Sequence, residues 1–159
     1  MTSLALVATD LDHTFRGADQ RPSELNTRSM FAATEHGTAV VFATGRPLRW
    51  LDLLEVFTDV NPTVIASNGA VTYDLRNHRV ISDTPFPIDV ITDVVNDIAS
   101  ELPEAKFSLE EAQRCCVEPG FDRVDHGRPV THQGPIHEFL TPDSRPVKML
   151  VRAFGIPTE

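Results

Sequence analysis

Cysteine is almost missing from this chain: there are two, Cys115 and Cys116, and they are neighbours. A bridge between adjacent cysteines closes a strained ring, so a secreted disulfide framework is not supported and reduced thiols fit the cytoplasm. Positive charge is also scarce. Fourteen Lys and Arg against 23 Asp and Glu give a formal net charge of −9, which disfavours the broad basic face that a nucleic-acid backbone requires. No apolar run approaches the roughly 20 residues of a membrane helix. The "TSLALVATD" after Met1 is too short, and turns acidic too soon, for a secretory signal. Repeats and low-complexity tracts are missing as well. What remains is ordinary globular material, 41% hydrophobic and 23% charged over 159 residues, enough for one core or a core plus a small or incomplete second module. The expectation is a cytoplasmic protein that engages neither nucleic acid nor a membrane.

The apolar pattern places the elements. Leu4 to Thr9 is apolar on both alternating faces, as in a parallel strand covered by helices on each side. Pro22 and Ser23 can cap a helix that runs to about His36, and Gly37 stops it. Ala39 to Ala43 reads as a second strand. "PLRWLDLLEVF" predicts a second helix, with Pro47 at its start and Leu48, Leu51, Leu54 and Phe57 at helical spacing. "PTVIAS", residues 62–67, is a third strand and completes a β-α-β-α-β succession. After Gly69 the style changes. "AVTYDL" and "RVISDT" suggest a hairpin, "IDVITDVVNDIASEL" an amphipathic helix with Val90 or Ile91, Val94 or Val95, and Ile98 inward, and "KFSLEE", "RCCVEP" and "VKMLVR" short strands. The second half is thus α+β.

Chemistry gathers where the first three strands end. Asp10 and Asp12, two apart, face one side of an extended chain and precede the hydroxyl of Thr14. Thr44 ends the second strand just before Gly45, whose bare backbone lets N–H groups approach an anion. Asn68 and Gly69 end the third. Ligands of open α/β sheets bind at that edge. Each group alone is also a common loop former; jointly they favour a site. Two acids, a hydroxyl and glycine amides suit phosphoryl transfer: one carboxylate attacks phosphorus, a second carboxyl handles protons, and Mg²⁺ offsets the accumulated negative charge.

The same segments carry a resemblance. "DLDHT" resembles the DxDx(T/V) signature of the haloacid dehalogenase superfamily, and "ATGRP" followed by "SNGAV" is similar to its Cof-type phosphatases. The resemblance implies a Rossmann-like parallel core, residues 1–84, with an inserted α+β cap, residues 85–159, both incomplete. It makes Asp10 the nucleophile and a Mg²⁺ ligand. Asp12 becomes the general acid/base, its backbone carbonyl also meeting the metal. Thr44 and Gly45 hold the phosphoryl group, and Arg46 and Asn68 contact substrate or phosphate. The implied substrates are small phosphorylated metabolites, sugar phosphates among them. Two departures stand out: His13 occupies a position that is often glycine, and the later lysine and "GDxxND" acidic motif of the family are missing. Lys148, in "VKMLVR", fits a cap strand better than the lysine role.

Other signals carry less. His126, His132, His137, Cys115 and Cys116 match no paired zinc spacing. Glu110, Glu111 and Glu118 read as a solvated surface, and Trp50 as packing. A receiver-like phospho-acceptor domain would place adjacent acids after the first strand and an aspartate after the third, where this chain has Asn68. A truncated relative that binds without turnover is the stronger rival. Because only the second and third strands stand beside the first, the first is expected at a sheet edge, where self-association can occur. The chain alone is then expected to be a poor or inactive phosphatase and an incomplete fold.

Overall fold

The computed structural model describes residues 4–17, 21–121 and 130–153. The chain divides into two compact units, Met1–Asp83 and Thr84–Glu159. Among the described residues no helix is long and apolar enough to cross a membrane.

The first unit is a five-stranded sheet in the order β1-β2-β3-β4-β5. Its strands are β1 (Leu6–Asp10), β2 (Ala39–Ala43), β3 (Thr63–Ala66), β4 (Val71–Asp74) and β5 (Arg79–Asp83). β1, β2 and β3 are parallel, with Leu6 opposite Ala39 and Asp10 opposite Ala43. β4 and β5 then add antiparallel to the same sheet.

Helix α1 (Glu24–Glu35) connects β1 to β2; its cap Ser23 accepts a hydrogen bond from the Asn26 amide at 3.0 Å. Gly37, at φ +80°, takes the left-handed turn that ends it. The connection from β2 to β3 differs from the sequence expectation. In place of one α-helix there are two tight 3₁₀ segments, Leu48–Trp50 and Asp52–Val60, separated at Leu51 with φ −100° and ψ 7°. The period was legible, since Leu54 and Phe57 are fully buried. The hydrogen-bond pattern was not, because both helix types present apolar residues three apart to the same neighbour.

Both connections pack on one face of the sheet. Phe42 of β2 meets Phe15 at 5.0 Å and Phe57 at 5.8 Å between ring centroids, and Phe31 of α1 meets Phe57 at 5.7 Å. Two right-handed crossovers stepping in the same direction, from β1 to β2 to β3, must fall on the same side. This corrects the expectation that β1 is covered on both faces. Leu6, Ala8 and Asp10 are exposed, Leu6 at 51%, and β1 is the edge strand.

In the second unit α2 (Ile88–Glu101) packs on a four-stranded sheet of order β8-β7-β6-β9. The strands are β6 (Lys106–Glu110), β7 (Cys115–Val117), β8 (His132–Gln133) and β9 (Lys148–Arg152). Ile91 and Val95 face inward and Val90 and Val94 outward, resolving the two alternatives in the helix pattern. Their cluster includes Phe107, Leu109, Cys116 and Ile136. The two-residue β8 lacks any apolar alternation and was not expected.

Glu110, Glu111 and Glu118 do not form a solvated face. Glu110 is 1% exposed. Glu118 accepts from the amides of Phe107 and Ile136, both at 3.0 Å, and so ties β6 to the loop before residue 136. Adjacent cysteines on β7 face opposite ways: Cys116 joins the α2 cluster, while Cys115 packs with Val117 and Phe121. Burial pushes the Cys116 thiol up, keeping it protonated. His126 lies outside the described residues. Lys148 opens β9, opposite Glu110 on β6.

Candidate active site

Three loops meet at the carboxyl ends of β1, β2 and β3. Asp10 ends β1 with its side chain exposed. The chain then makes a wide turn, closed where the Arg16 amide donates to the Leu11 carbonyl at 3.0 Å. Asp12 is extended within it, and His13 is left-handed at φ 60°. Histidine adopts that conformation here at a modest backbone cost.

The loops after β2 and β3 are bonded to one another. The Thr44 amide donates to the Ile65 carbonyl at 2.8 Å, the Asn68 amide to the Thr44 carbonyl at 3.2 Å, and the Ser67 amide to the Arg46 carbonyl at 2.8 Å. Thr44 is buried, and its Oγ1 accepts from the Arg46 amide at 3.1 Å. Ser67, Asn68 and Gly69 are consecutively left-handed, at φ 52°, 59° and 99°. For the first two that costs backbone strain, which the bonds to the neighbouring loop offset. Gly45 is required for a different reason. A Cβ there would lie 2.6 Å from Asn68 Oδ1, so the missing side chain is what admits the Asn68 amide.

The result is a cleft of about 350 Å³ lined by Asp10, Ala43, Thr44, Gly45, Ile65, Asn68 and Gly69. Four of the six residues to which the resemblance gives a role share it: Asp10, Thr44, Gly45 and Asn68. The other two, Asp12 and Arg46, are joined to each other. Arg46 donates from Nε to both Asp12 oxygens, at 3.2 and 3.1 Å, and from Nη2 to Oδ1 at 3.0 Å. Its guanidinium also donates to the Trp50 carbonyl at 3.3 Å and lies 5.9 Å from the Trp50 ring centre.

Arg16 went unnoticed in the sequence. Its Nε donates to Asp12 Oδ1 at 2.6 Å, and its side chain is only 8% exposed. The signal was an acid and a base four apart, but such a pair is expected on a helix and this stretch is a turn. The Arg46 hydrogen bond, joined by the charges of both arginines, holds the Asp12 carboxyl below its usual range against the opposing effect of burial.

Of the described residues lining the cleft, Asp10 alone carries a formal charge, and it is negative. A phosphate could settle beside it only with a cation present. The donor set suits Mg²⁺, which accepts one or two carboxylates, a carbonyl, substrate oxygens and water. Among the described residues no group of three or more acids, histidines or cysteines is clustered to hold a metal without such help.

A family model for haloacid dehalogenase-like hydrolases matches residues 7–152. The Bacillus subtilis protein named "Putative phosphatase YxeH" is 31% identical over 101 residues, covering 61% of this chain and 37% of its own length. Solved structures share the fold. The subclass IIB sugar phosphatase BT4131 superposes with a TM-score of 0.74 at 19% identity, over 92% of this chain and 57% of that one. TM0651 from Thermotoga maritima gives 0.72 at 22% identity, over 93% and 56%. The chain therefore spans little more than half the length of these structures and well under half that of YxeH.

Proposed function

The chain belongs to the haloacid dehalogenase-like hydrolases, and on that premise we propose that it carries the nucleophile side of a Mg²⁺-dependent phosphomonoesterase acting on small phosphorylated metabolites such as sugar phosphates. The observation that carries this reading is the convergence of Asp10, Thr44, Gly45 and Asn68 on one cleft at the ends of three parallel strands.

Asp10 is the nucleophile. Its exposed carboxylate attacks phosphorus as the ester oxygen departs, giving an aspartyl-phosphate and an alcohol. Asp12, which must first take a proton from solvent because both arginines favour its ionised form, supplies that proton to the departing oxygen, then takes one from the water that attacks the aspartyl-phosphate, releasing phosphate and restoring Asp10. The Thr44 hydroxyl, the Gly45 amide and the Asn68 side-chain amide are the donors available to the transferring group. The Asp10 carboxylate and the Asp12 carbonyl would hold Mg²⁺, which when bound would supply the positive charge that the described lining residues lack. The first unit reads as the start of the core and the second as part of a cap.

A second reading, a chain that binds phosphorylated ligands with little turnover, is favoured by the lack, among the described residues, of an acid cluster that holds a metal by itself. One experiment separates the two. The purified chain is assayed with and without Mg²⁺ against a panel of phosphorylated metabolites, and the binding of Mg²⁺ with beryllofluoride, a phosphoryl mimic, is followed by fluorine NMR. The phosphatase reading expects metal-dependent phosphate release, lost in Asp10→Asn and slowed roughly 10²- to 10⁴-fold in Asp12→Asn. Binding of the mimic without release supports the second reading. Wild-type rates in Asp10→Asn would remove the nucleophile assignment.

A further inference from the structure

We propose that Arg16 is a positioning residue of this site: together with Arg46 it fixes the direction of the Asp12 carboxylate for its proton transfers. The inference rests on the phosphatase reading of the cleft and adds a residue outside the motifs that led to it.

Arg16 starts from a fixed point. Its amide closes the turn on Leu11, and its backbone bridges to Pro22. The preceding carbonyl, that of Phe15, accepts from Asn26 Nδ2 on α1 at 2.7 Å. The side chain leaves that anchored backbone and reaches Asp12, four residues earlier, across the same turn that presents Asp12.

Asp12 Oδ1 thus accepts from two guanidiniums that come from different strand ends, one following β1 and one following β2. Arg46 alone reaches both oxygens, and Arg16 adds at Oδ1 a second hold rooted in a separate loop. The burial gradient agrees: the Arg16 and Arg46 side chains are 8% and 11% exposed, whereas that of Asp12 is 33% exposed. The cations are sunk in the protein, and the acid keeps the accessible side that a proton partner needs. A group that acts as acid in one step and base in the next gains from a fixed direction, because proton transfer requires alignment within hydrogen-bond reach in both.

A turn staple with no catalytic consequence would show the same contacts, so the test must read what a staple leaves unmoved. Protonation of the leaving oxygen matters for a sugar phosphate, whose alkoxide is a poor leaving group. It matters little for p-nitrophenyl phosphate, which departs as a stable phenolate. The value of kcat/KM covers the steps through transfer to Asp10 and therefore reports this difference. Arg16→Ala is expected to lower kcat/KM for the best sugar phosphate of the panel about tenfold more than for p-nitrophenyl phosphate, a fraction of the whole acid/base contribution. Arg16→Lys, which keeps the charge but not the fork, is expected to recover part of the ratio. On an Asp12→Asn background Arg16→Ala is expected to change the ratio no further, since it acts through Asp12.

Equal losses on both esters, or a full additional loss in the double variant, would overturn the role of Arg16. If Arg16→Ala does not fold, the selective loss in Arg16→Lys relative to wild type carries the same decision. A wild-type chain that hydrolyses neither ester with Mg²⁺ overturns the phosphatase reading, and this inference with it. An active wild type whose ester selectivity ignores position 16 overturns the inference alone.

Discussion

Replacing Gly45 by alanine adds one methyl group to the lining of the cleft. Its Cβ would stand 2.6 Å from Asn68 Oδ1 and 3.8 Å from Cγ. An ordinary carbon–oxygen contact is well above 3 Å, so one partner must retreat by roughly half an ångström or more. The backbone of Gly45 has little freedom, because Thr44 and Arg46 on either side are bonded to the loop after β3. The Asn68 side chain must therefore move. It is short and ends in the clashing atom, which puts the stability cost near the low end for overpacking, about 1 kcal/mol. In a chain of this size that lowers the melting temperature by roughly 2–4 °C. The functional cost should be far larger than this, because the displaced amide and the added methyl both enter the space meant for the phosphoryl group. Thermal melts and the beryllofluoride titration measure the two effects separately. Gly45→Ala is expected to melt slightly early and to lose binding of the mimic. Adding Asn68→Gly should restore the melt without restoring binding. If Gly45→Ala binds the mimic as wild type does, the argument that the missing side chain shapes the cleft is wrong.

In the second unit, Glu118→Ala deprives two amides of their acceptor and should cost about 1–3 kcal/mol, read as a lowered urea midpoint; an unchanged midpoint would mean water replaces the carboxylate freely. Burial raises the Glu111 carboxyl, but the hydrogen bonds from Arg114 and the Arg145 amide, with the charge of Arg114, outweigh it and leave the group below its usual range. Its stabilisation is then present above the unfolded-state pKa of about 4.3 and lost as pH falls through the lower folded value; urea midpoints between pH 5 and 3 should decline less steeply in Glu111→Gln. The open edge of β1, with Leu4 and Leu6 62% and 51% exposed, should drive concentration-dependent self-association. Sedimentation should detect it, and Leu6→Lys should abolish it; a wild type monomeric at every concentration would remove the proposal.

Most of the frame was legible because it depends on short-range pattern. β2 spans the residues read from the sequence, α1 begins at the expected Ser23 cap, and the three strand ends that attracted attention share one cleft. The errors arise where the outcome depends on partners distant in sequence. The apolar β1 was expected at the sheet edge, as found, but also covered on both faces, and which faces are covered is decided by elements distant in sequence. Glu110 and Glu118 read as surface acids because nothing in their local sequence announces a buried setting or two waiting amides.

Arg16 belongs to the same class, and it bears on how the site itself is built. The motif residues Asp10, Thr44, Gly45 and Asn68 are placed by strand ends and loop backbone, so sequence spacing is enough to find them. Asp12 sits beyond its strand, in a turn whose shape leaves its side chain free to point several ways. Its direction is set by two arginines reaching it from separate loops, a relation that appears only after β1 and β2 are paired in register. Residues that present chemistry are therefore readable from motif spacing, whereas residues that aim it become visible only once the loops are brought together. Changes at Arg16 should accordingly alter which esters are cleaved well before they alter whether the sheet forms, since the sheet is held by the Phe15, Phe42 and Phe57 cluster, independently of that charge pair.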